Sequence, residues 1–562
     1  MILKNYYTKE SLLHIAQISI LTFATELLLS TIVFFIGQSI SWHFFLCSFT
    51  ISVIICSFSN SNSPNWCEVI TALIIFVGLS CIAGLVFDYS WDGNAYHKLA
   101  VGLLRYHWNP LKSLPSLSLI EGAGEYSGNT LWVEAYGKAT WIFGASIYSL
   151  SGNIENGKCY TMIAMLSAFM LVYYYMVKKK HSYTNALMMA SVTAFNPISI
   201  QQMFTFYIDG FLHTMLIILV VSLLMFEDDK TFERTTSVCL IAASMIVCGN
   251  IKFTGLLYGG IFCIAYYIYD CYRLIRGDKD WLQKVLSESV AYLFLVFLTV
   301  AWGGCSTYIT NVLRHGSPIY PLMGEGKVDI MSNNSPFSEE NHFKNLFLSL
   351  FSRVDNFTAD SGKTVELKVP FTFSFNEVVT NCDVDARVSG FGVFFGGLFI
   401  AAIIVLLICL VRSNHEIDRN LIILNVSVCV GLMFGIKESW WARYSPYIYM
   451  LLLISVFILL ASDKRKKTIV ATIFTVLILL NNCLPLLGII VKNYDDSKAI
   501  DSCFRELKSY GMIEIRNKAF EGIYFNFKDY DIYYRINEEL KNEDNLNTTN
   551  YRGTVWKQIK CK

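Results

Sequence analysis

Phe87-Asp-Tyr-Ser-Trp-Asp-Gly-Asn-Ala-Tyr-His97 stands where a long apolar run gives way to a polar segment, and the reading of that boundary decides the fold. The run before it, near 68–87, is long enough to cross roughly 30 Å of hydrocarbon. Asp88 and Asp92 follow at once. Both carboxylates are therefore expected at headgroup depth, where an acid can meet water and a membrane-bound molecule together.

The same apolar signature recurs near 11–37, 42–58, 158–177, 184–200, 210–226, 235–250, 253–270, 286–303, 391–411, 420–436, 445–461 and 468–490. Together these imply an all-α polytopic membrane protein of about thirteen transmembrane helices. The 235–250 and 253–270 runs, which lie close together, can instead form a broken or tightly turned helix lining a cavity. Composition agrees with a membrane protein: of 562 residues, 54% are hydrophobic and 16% charged, against roughly 25% charged in soluble domains. A net charge of +1 gives no footprint for a nucleic-acid partner. Most of the 16 cysteines fall inside apolar runs and none has zinc-ligand spacing. Cys305, Cys382, Cys503 and Cys561 lie in polar segments, and their pairing is not legible.

Lys and Arg collect in one alternating set of connections: Lys4 and Lys9, Lys178 to Lys180, Lys230 and Arg234, Arg273 to Lys284, Arg412 and Arg419, and Lys464 to Lys467. The positive-inside rule places that set in the cytoplasm. The N-terminus is then cytoplasmic in a plasma (inner) membrane, and the long connections 88–157 and 304–390 and the tail 491–562 are extracytoplasmic. The hydrophobic stretch after Lys9 is too long for a signal-peptide core and is read as a retained first span. The expected organisation is an N-terminal two-span extension (1–67), a transmembrane catalytic region (68–490) and a small C-terminal tail (491–562).

Within the first long connection, Asp92 followed by Gly93-Asn94 suits a helix N-cap. From Asn94 to Trp108, Ala95, Leu99, Leu103 and Tyr106 share one helical face and Asn94, Lys98 and Arg105 another, which predicts an amphipathic helix along the interface. Glu121, Glu125, Glu134 and Lys138, among Tyr126, Trp132, Tyr136 and Trp141, predict further surface helices. Besides capping, Asp92 can take a proton from an acceptor hydroxyl. Asp88 serves as a span-end residue or a neighbour of that site, and Tyr96 and His97 as flanking or interfacial residues. Asp209 and Lys252 lie at the ends of apolar runs, where ionisable groups need partners or a wet cavity. Arg443, beside Tyr444, offers a forked cationic donor to a phosphate or to lipid headgroups. Arg314, His315 and Tyr320 lie in a Gly- and Pro-rich turn that either contributes to an anionic site or is simply rigid.

Taken in order, Trp91-Asp-Gly-Asn-Ala-Tyr-His97, Tyr207-Ile-Asp209, Ile251-Lys-Phe-Thr-Gly255, Asn311 with Gly316-Ser-Pro-Ile-Tyr-Pro-Leu322, and Arg443-Tyr444 resemble the landmarks of bacterial GT-C superfamily glycosyltransferases. The resemblance covers about 68–461. It implies an enzyme that moves a sugar from a polyprenyl-phosphate-type lipid donor to a cell-envelope glycan or glycolipid acceptor at the outer membrane face, usually with inversion. It implies Asp92 as general base, Tyr96 and His97 beside it, Lys252 and Arg443 toward the donor phosphate, and Asp209 lining the same cavity. Two apolar runs precede the motif-bearing span, and the acidic loop lacks the Asp-Glu doublet of protein mannosyltransferases, which disfavours protein mannosylation. Metal dependence is left open, a divalent metal being compatible with the sequence but not required by it. Two other readings compete: a polymerase or ligase of lipid-linked oligosaccharides, and a lipid flippase or transporter. The clustering of charges at one side disfavours the transporter, with Glu26 as the exception.

Overall fold

Apolar runs become helices because a backbone in hydrocarbon must satisfy its own N–H and C=O groups. The computed structural model describes residues 9–120, 129–328, 334–337, 341–411, 418–461, 465–516, 519–537, 547–548 and 555–558. Glu121, Glu125, Tyr126, Arg412, Lys464 and Cys561 lie outside them. Among the described residues eight helices are long and apolar enough to cross a membrane: Lys9–Phe35, Trp42–Ser59, Trp66–Gly84, Ile154–Lys178, Asp209–Glu227, Arg234–Ile251, Trp281–Trp302 and Thr468–Ser509. Phe395–Leu410, Arg419–Gly435 and Pro446–Leu460 are shorter apolar helices.

The run expected to span at 184–200 is two pieces. Tyr183–Ala194 has 12 residues, about 18 Å at 1.5 Å per residue. It ends where Asn196 caps a second helix, Pro197–Gln202, with its side chain on the Ser199 N–H. At the other suspected break, Arg234–Ile251 stops and Phe253–Gly277 starts with only Lys252 between them, in extended conformation (φ −163°, ψ 166°). The second helix folds back on the first, so that a Cβ on Gly255 would lie 2.1 Å from the Cys248 carbonyl. This tight reversal carries Lys252 at its apex.

Lys9–Phe35 is buried along most of its length and packs against Trp42–Ser59, Tyr160–Lys178 and Arg234–Ile251. It is a central element of the bundle. Trp281–Val296, in contrast, buries no residue.

The first long connection departs from expectation. Asp92 is not an N-cap: its backbone is already helical (φ −60°, ψ −34°) and its side chain makes no cap hydrogen bond. Gly93–His97 forms a wide π-helical turn and Lys98–Arg105 an α-helix. This helix does not lie along an interface, because Lys98 through Leu104 are all buried. The helix Ala139–Ser151 packs on one side of it, and the C-terminal part of the chain covers another.

That part is not all-α. The helix Leu486–Ser509 runs through the expected 490/491 boundary. Strands β1 (Met512–Arg516), β2 (Tyr533–Ile536), β3 (Asn547–Thr548) and β4 (Val555–Gln558) then form a sheet in the order β2-β1-β4-β3. β1 and β2 are parallel and joined by the helix Ile523–Asp529, whereas β4 is antiparallel to β1. The Gly522 N–H donates to the Asn94 carbonyl at 3.0 Å. Phe525 packs where Gly102 has no side chain; a Cβ there would lie 2.1 Å from the ring. Cys305, Cys382 and Cys503 are free thiols.

Candidate active site

Three carboxylates from distant parts of the sequence meet around one guanidinium. Arg443 lies in the short turn Ala442–Tyr444 before Pro446–Leu460. His213 Nε2 lies 3.1 Å from the Arg443 carbonyl and holds that turn. The Arg443 Nη1 donates to Asp92 Oδ2 at 3.1 Å and lies 3.8 Å from Asp209 Oδ2. Nη2 donates to the Tyr444 hydroxyl at 2.9 Å, and Nε lies 3.4 Å from Asp385 Oδ1. The guanidinium is flanked by the rings of Trp441, Tyr444 and Tyr207 at 4.3, 4.9 and 5.2 Å. Lys252 reaches from its helix reversal to Asp209 and lies 4.0 Å over the Tyr444 ring.

Three carboxylates thus share two cations, with Arg387 Nη2 a further 3.6 Å from Asp385 Oδ2. Burial pushes the Asp385 carboxyl up to about 7, although Arg443 and Arg387 both pull it down. The Arg443 guanidinium is held charged by Asp385, Tyr444, Asp209 and Asp92 against the cost of its burial. Asp92 keeps 21% of its side-chain surface open, against 5% for Asp209. Asp385 keeps 17%, so Asp92 is the most open of the three carboxylates.

Beside this cluster lies a cavity of about 610 Å³. Lys252, Tyr258 and Tyr444 line one side, and Tyr136, Lys327 and Lys437 others. The Tyr258 hydroxyl donates to the Tyr444 carbonyl at 2.9 Å. Tyr136 is fixed by Lys138, whose ammonium donates to the Glu134 and Tyr136 carbonyls at 2.8 and 2.9 Å. Burial lowers the Lys138 pKa to about 7. Among the described residues no cluster of three His, Cys, Asp or Glu is spaced to hold a metal ion.

Of the residues singled out in the sequence, Asp92, Asp209, Lys252, Arg443 and Tyr444 converge here. Tyr96 stands near them, its ring 5.9 Å from that of Tyr136. Asp88 does not join them. Its carboxylate accepts from the backbone N–H groups of Ser90 and Phe206 at 2.7 and 2.9 Å and stays wholly buried, where desolvation raises its pKa. His97 is likewise internal: Nδ1 accepts from the Trp141 indole at 2.8 Å, and burial depresses its pKa to about 3. The imidazole lies behind the cluster, its ring 4.3 Å from that of Tyr96 and 6.5 Å from that of Tyr207. Arg314 and His315 both engage Glu134 at 3.2 and 3.1 Å, and His315 stacks on Tyr320 at 3.7 Å. That turn supports the cavity wall through Pro321 and Leu322. Its polar side chains are spent on Glu134.

Sequence reasoning did not find Asp385 or the cavity lysines Lys327 and Lys437, and Tyr207 stood in the Tyr207-Ile-Asp209 landmark without a role of its own. The available signal was Asp383-Val-Asp-Ala-Arg387, an alternation of charges in a long polar connection. Another missed cluster is structural. Lys98 and Lys158 both donate to Glu155 at 2.6 Å, and Asn526 donates to the same carboxylate at 2.9 Å.

No family model and no curated protein matches the sequence. In three dimensions the chain is similar to the crystal structure of ArnT from Cupriavidus metallidurans in the apo state, with 11% identity and a TM-score of 0.36, over 87% of this chain and 97% of that one. It is similar also to the crystal structure of ArnT from Cupriavidus metallidurans bound to undecaprenyl phosphate, with 11% identity and a TM-score of 0.34, over 86% and 97% of the two chains. At that level of similarity no residue of one chain assigns a role to a residue of the other.

Proposed function

We propose that this chain is a membrane glycosyltransferase that moves a sugar from a polyprenyl-phosphate-type lipid donor to a cell-envelope glycan or glycolipid acceptor. The observation that carries this reading is the meeting of Asp92, Asp209, Lys252 and Arg443 beside one cavity, from four separate stretches of an otherwise apolar bundle. In it Asp92 is the general base. Its carboxylate takes the proton of the acceptor hydroxyl while that oxygen attacks the anomeric carbon, with inversion. Arg443 fixes the carboxylate in place, and Tyr444 and Tyr136, which line the cavity, offer aromatic surface to a sugar.

The site faces outward in this reading. Asp209 opens a helix whose far end is Glu227, and Lys252 follows one that starts at Arg234. The basic residues Lys178, Lys179, Lys230, Arg234, Arg273 and Arg276 therefore cluster at the opposite helix ends, which supports a cytoplasmic position for them.

The test is transfer by the purified protein from polyprenyl-phosphate sugars. Asp92→Asn is expected to reduce kcat by about 100-fold or more, since a lost general base costs on the order of 10²–10⁴. Full transfer by Asp92→Asn would remove the assignment. Products extended by whole repeat units would show a polymerase instead.

A further inference from the structure

The two cations nearest Asp92 are already occupied by the protein's own carboxylates. Arg443 is shared by Asp92, Asp385 and Asp209 at 3.1, 3.4 and 3.8 Å, and Lys252 is paired with Asp209. A phosphate placed on Arg443 would have to displace carboxylates that Arg443, Lys252 and Arg387 already hold, three acids against three cations, so no cation of that cluster is left over for it. The cavity rim has the opposite balance. Lys327, from the turn after Pro321, and Lys437, at the start of Lys437–Trp440, are both exposed and line the same cavity. Among the described residues neither forms an ion pair. Glu438 is the only acid among the described residues lining the cavity. Phe253, Leu322 and Ile436 add apolar surface to the same lining.

We infer that the phosphate of a lipid-linked substrate is held at the cavity rim by Lys327 and Lys437, while Arg443 is a positioning residue that orders the three carboxylates. The inference rests on the transferase reading above. It also suits the charge change in that reaction. The bond between the anomeric carbon and the phosphate oxygen breaks, its electron pair stays on that oxygen, and the acceptor proton passes to Asp92. A phosphodiester with one negative charge thus leaves as a phosphomonoester that carries up to two. Two lysines without carboxylate partners meet the charge that develops, so they favour the leaving group more than the donor. The apolar lining residues Phe253, Leu322 and Ile436 suit the first units of the lipid chain.

Native mass spectrometry of the full chain in detergent, titrated separately with undecaprenyl phosphate and with phosphatidylglycerol, tests this. The pair Lys327→Gln/Lys437→Gln is expected to weaken undecaprenyl phosphate about tenfold, the loss of one or two charge-assisted hydrogen bonds. Phosphatidylglycerol uptake should not change, and Lys327→Arg/Lys437→Arg should restore the first ligand. Because both lysines are exposed, folding is preserved in these variants. In transfer assays the Gln pair raises KM for the lipid donor, whereas Arg443→Lys lowers kcat and changes that KM by less than about threefold. Unchanged undecaprenyl phosphate affinity in the Gln pair overturns the inference alone. Equal weakening of both lipids makes the rim a general headgroup patch and also overturns it. A wild-type chain that binds no polyprenyl phosphate overturns the inference together with the transferase reading.

Discussion

Asp385 is the residue whose chemistry differs most from its appearance in the sequence. It sits 3.4 Å from Arg443 Nε, yet burial lifts its carboxyl to about 7. Its folded pKa thus exceeds the roughly 3.9 of an unfolded Asp. Below about pH 4 both states hold the proton. As pH rises from there through about 7, the unfolded chain gives up its proton first, so stability is lost over that window. Asp385→Asn removes this dependence. Thermal midpoints of the two proteins, taken from pH 4.5 to 8, should therefore diverge in favour of the variant as pH rises. A constant difference across the series would show that the carboxyl ionises normally. The site residues that were legible, Asp92, Asp209, Lys252 and Arg443, each interrupt or terminate an apolar run, where hydrocarbon makes an ionisable group conspicuous. Asp385 lies in a long polar connection, where one acid looks like another until the fold brings it to Arg443.

At the scale of elements, the turn that presents Asp92 depends on a residue with no side chain. Gly93 begins the π-helical stretch, and a Cβ on it would lie 2.0 Å from the Asp88 carboxylate and 2.2 Å from the Ser90 hydroxyl. Asp88 cannot withdraw, because it holds the Ser90 and Phe206 N–H groups. Gly93→Ala should therefore displace the turn, with a cost of about 1–3 kcal/mol from overpacking. Its effect on transfer should exceed its effect on lipid binding, because Asp92 moves while the Lys327 and Lys437 rim does not. Equal losses in kcat and in lipid affinity would contradict that order. The amphipathic pattern of 94–108 did predict a helix and its apolar face. It could not predict that the polar face would be buried as well. Lys98 is satisfied there by Asn94, Glu155 and Asn526, at 2.9, 2.6 and 3.0 Å, and two of these partners are far away in sequence.

Over the whole molecule, hydropathy located the helices, but the way the C-terminal part closes on the first connection was hidden, because its contacts are single polar side chains separated by hundreds of residues. Asp529 accepts from the Tyr148 hydroxyl at 2.6 Å and from the Ile154 N–H at 2.8 Å. Asn526 joins Lys98 and Glu155, and Phe525 fills the space above Gly102. The face of the helix Lys98–Arg105 that carries Lys98 and Gly102 is therefore covered by residues 522–526, while its other side packs on Ala139–Ser151. Removal of the chain after Ser509 would uncover Lys98 and Gly102 and leave the Glu155 cluster without Asn526. A buried polar group left without its partner costs about 1–3 kcal/mol. Asn526→Ala, a milder change, should lower the thermal midpoint and loosen the first connection, seen as faster hydrogen exchange across residues 93–105. Exchange there should rise while that of the central helix Lys9–Phe35 is unchanged, since that helix makes its contacts within the bundle. Protection of 93–105 that is unaltered by Asn526→Ala would mean that the C-terminal sheet only rests on this helix and does not hold the Asp92 turn in place.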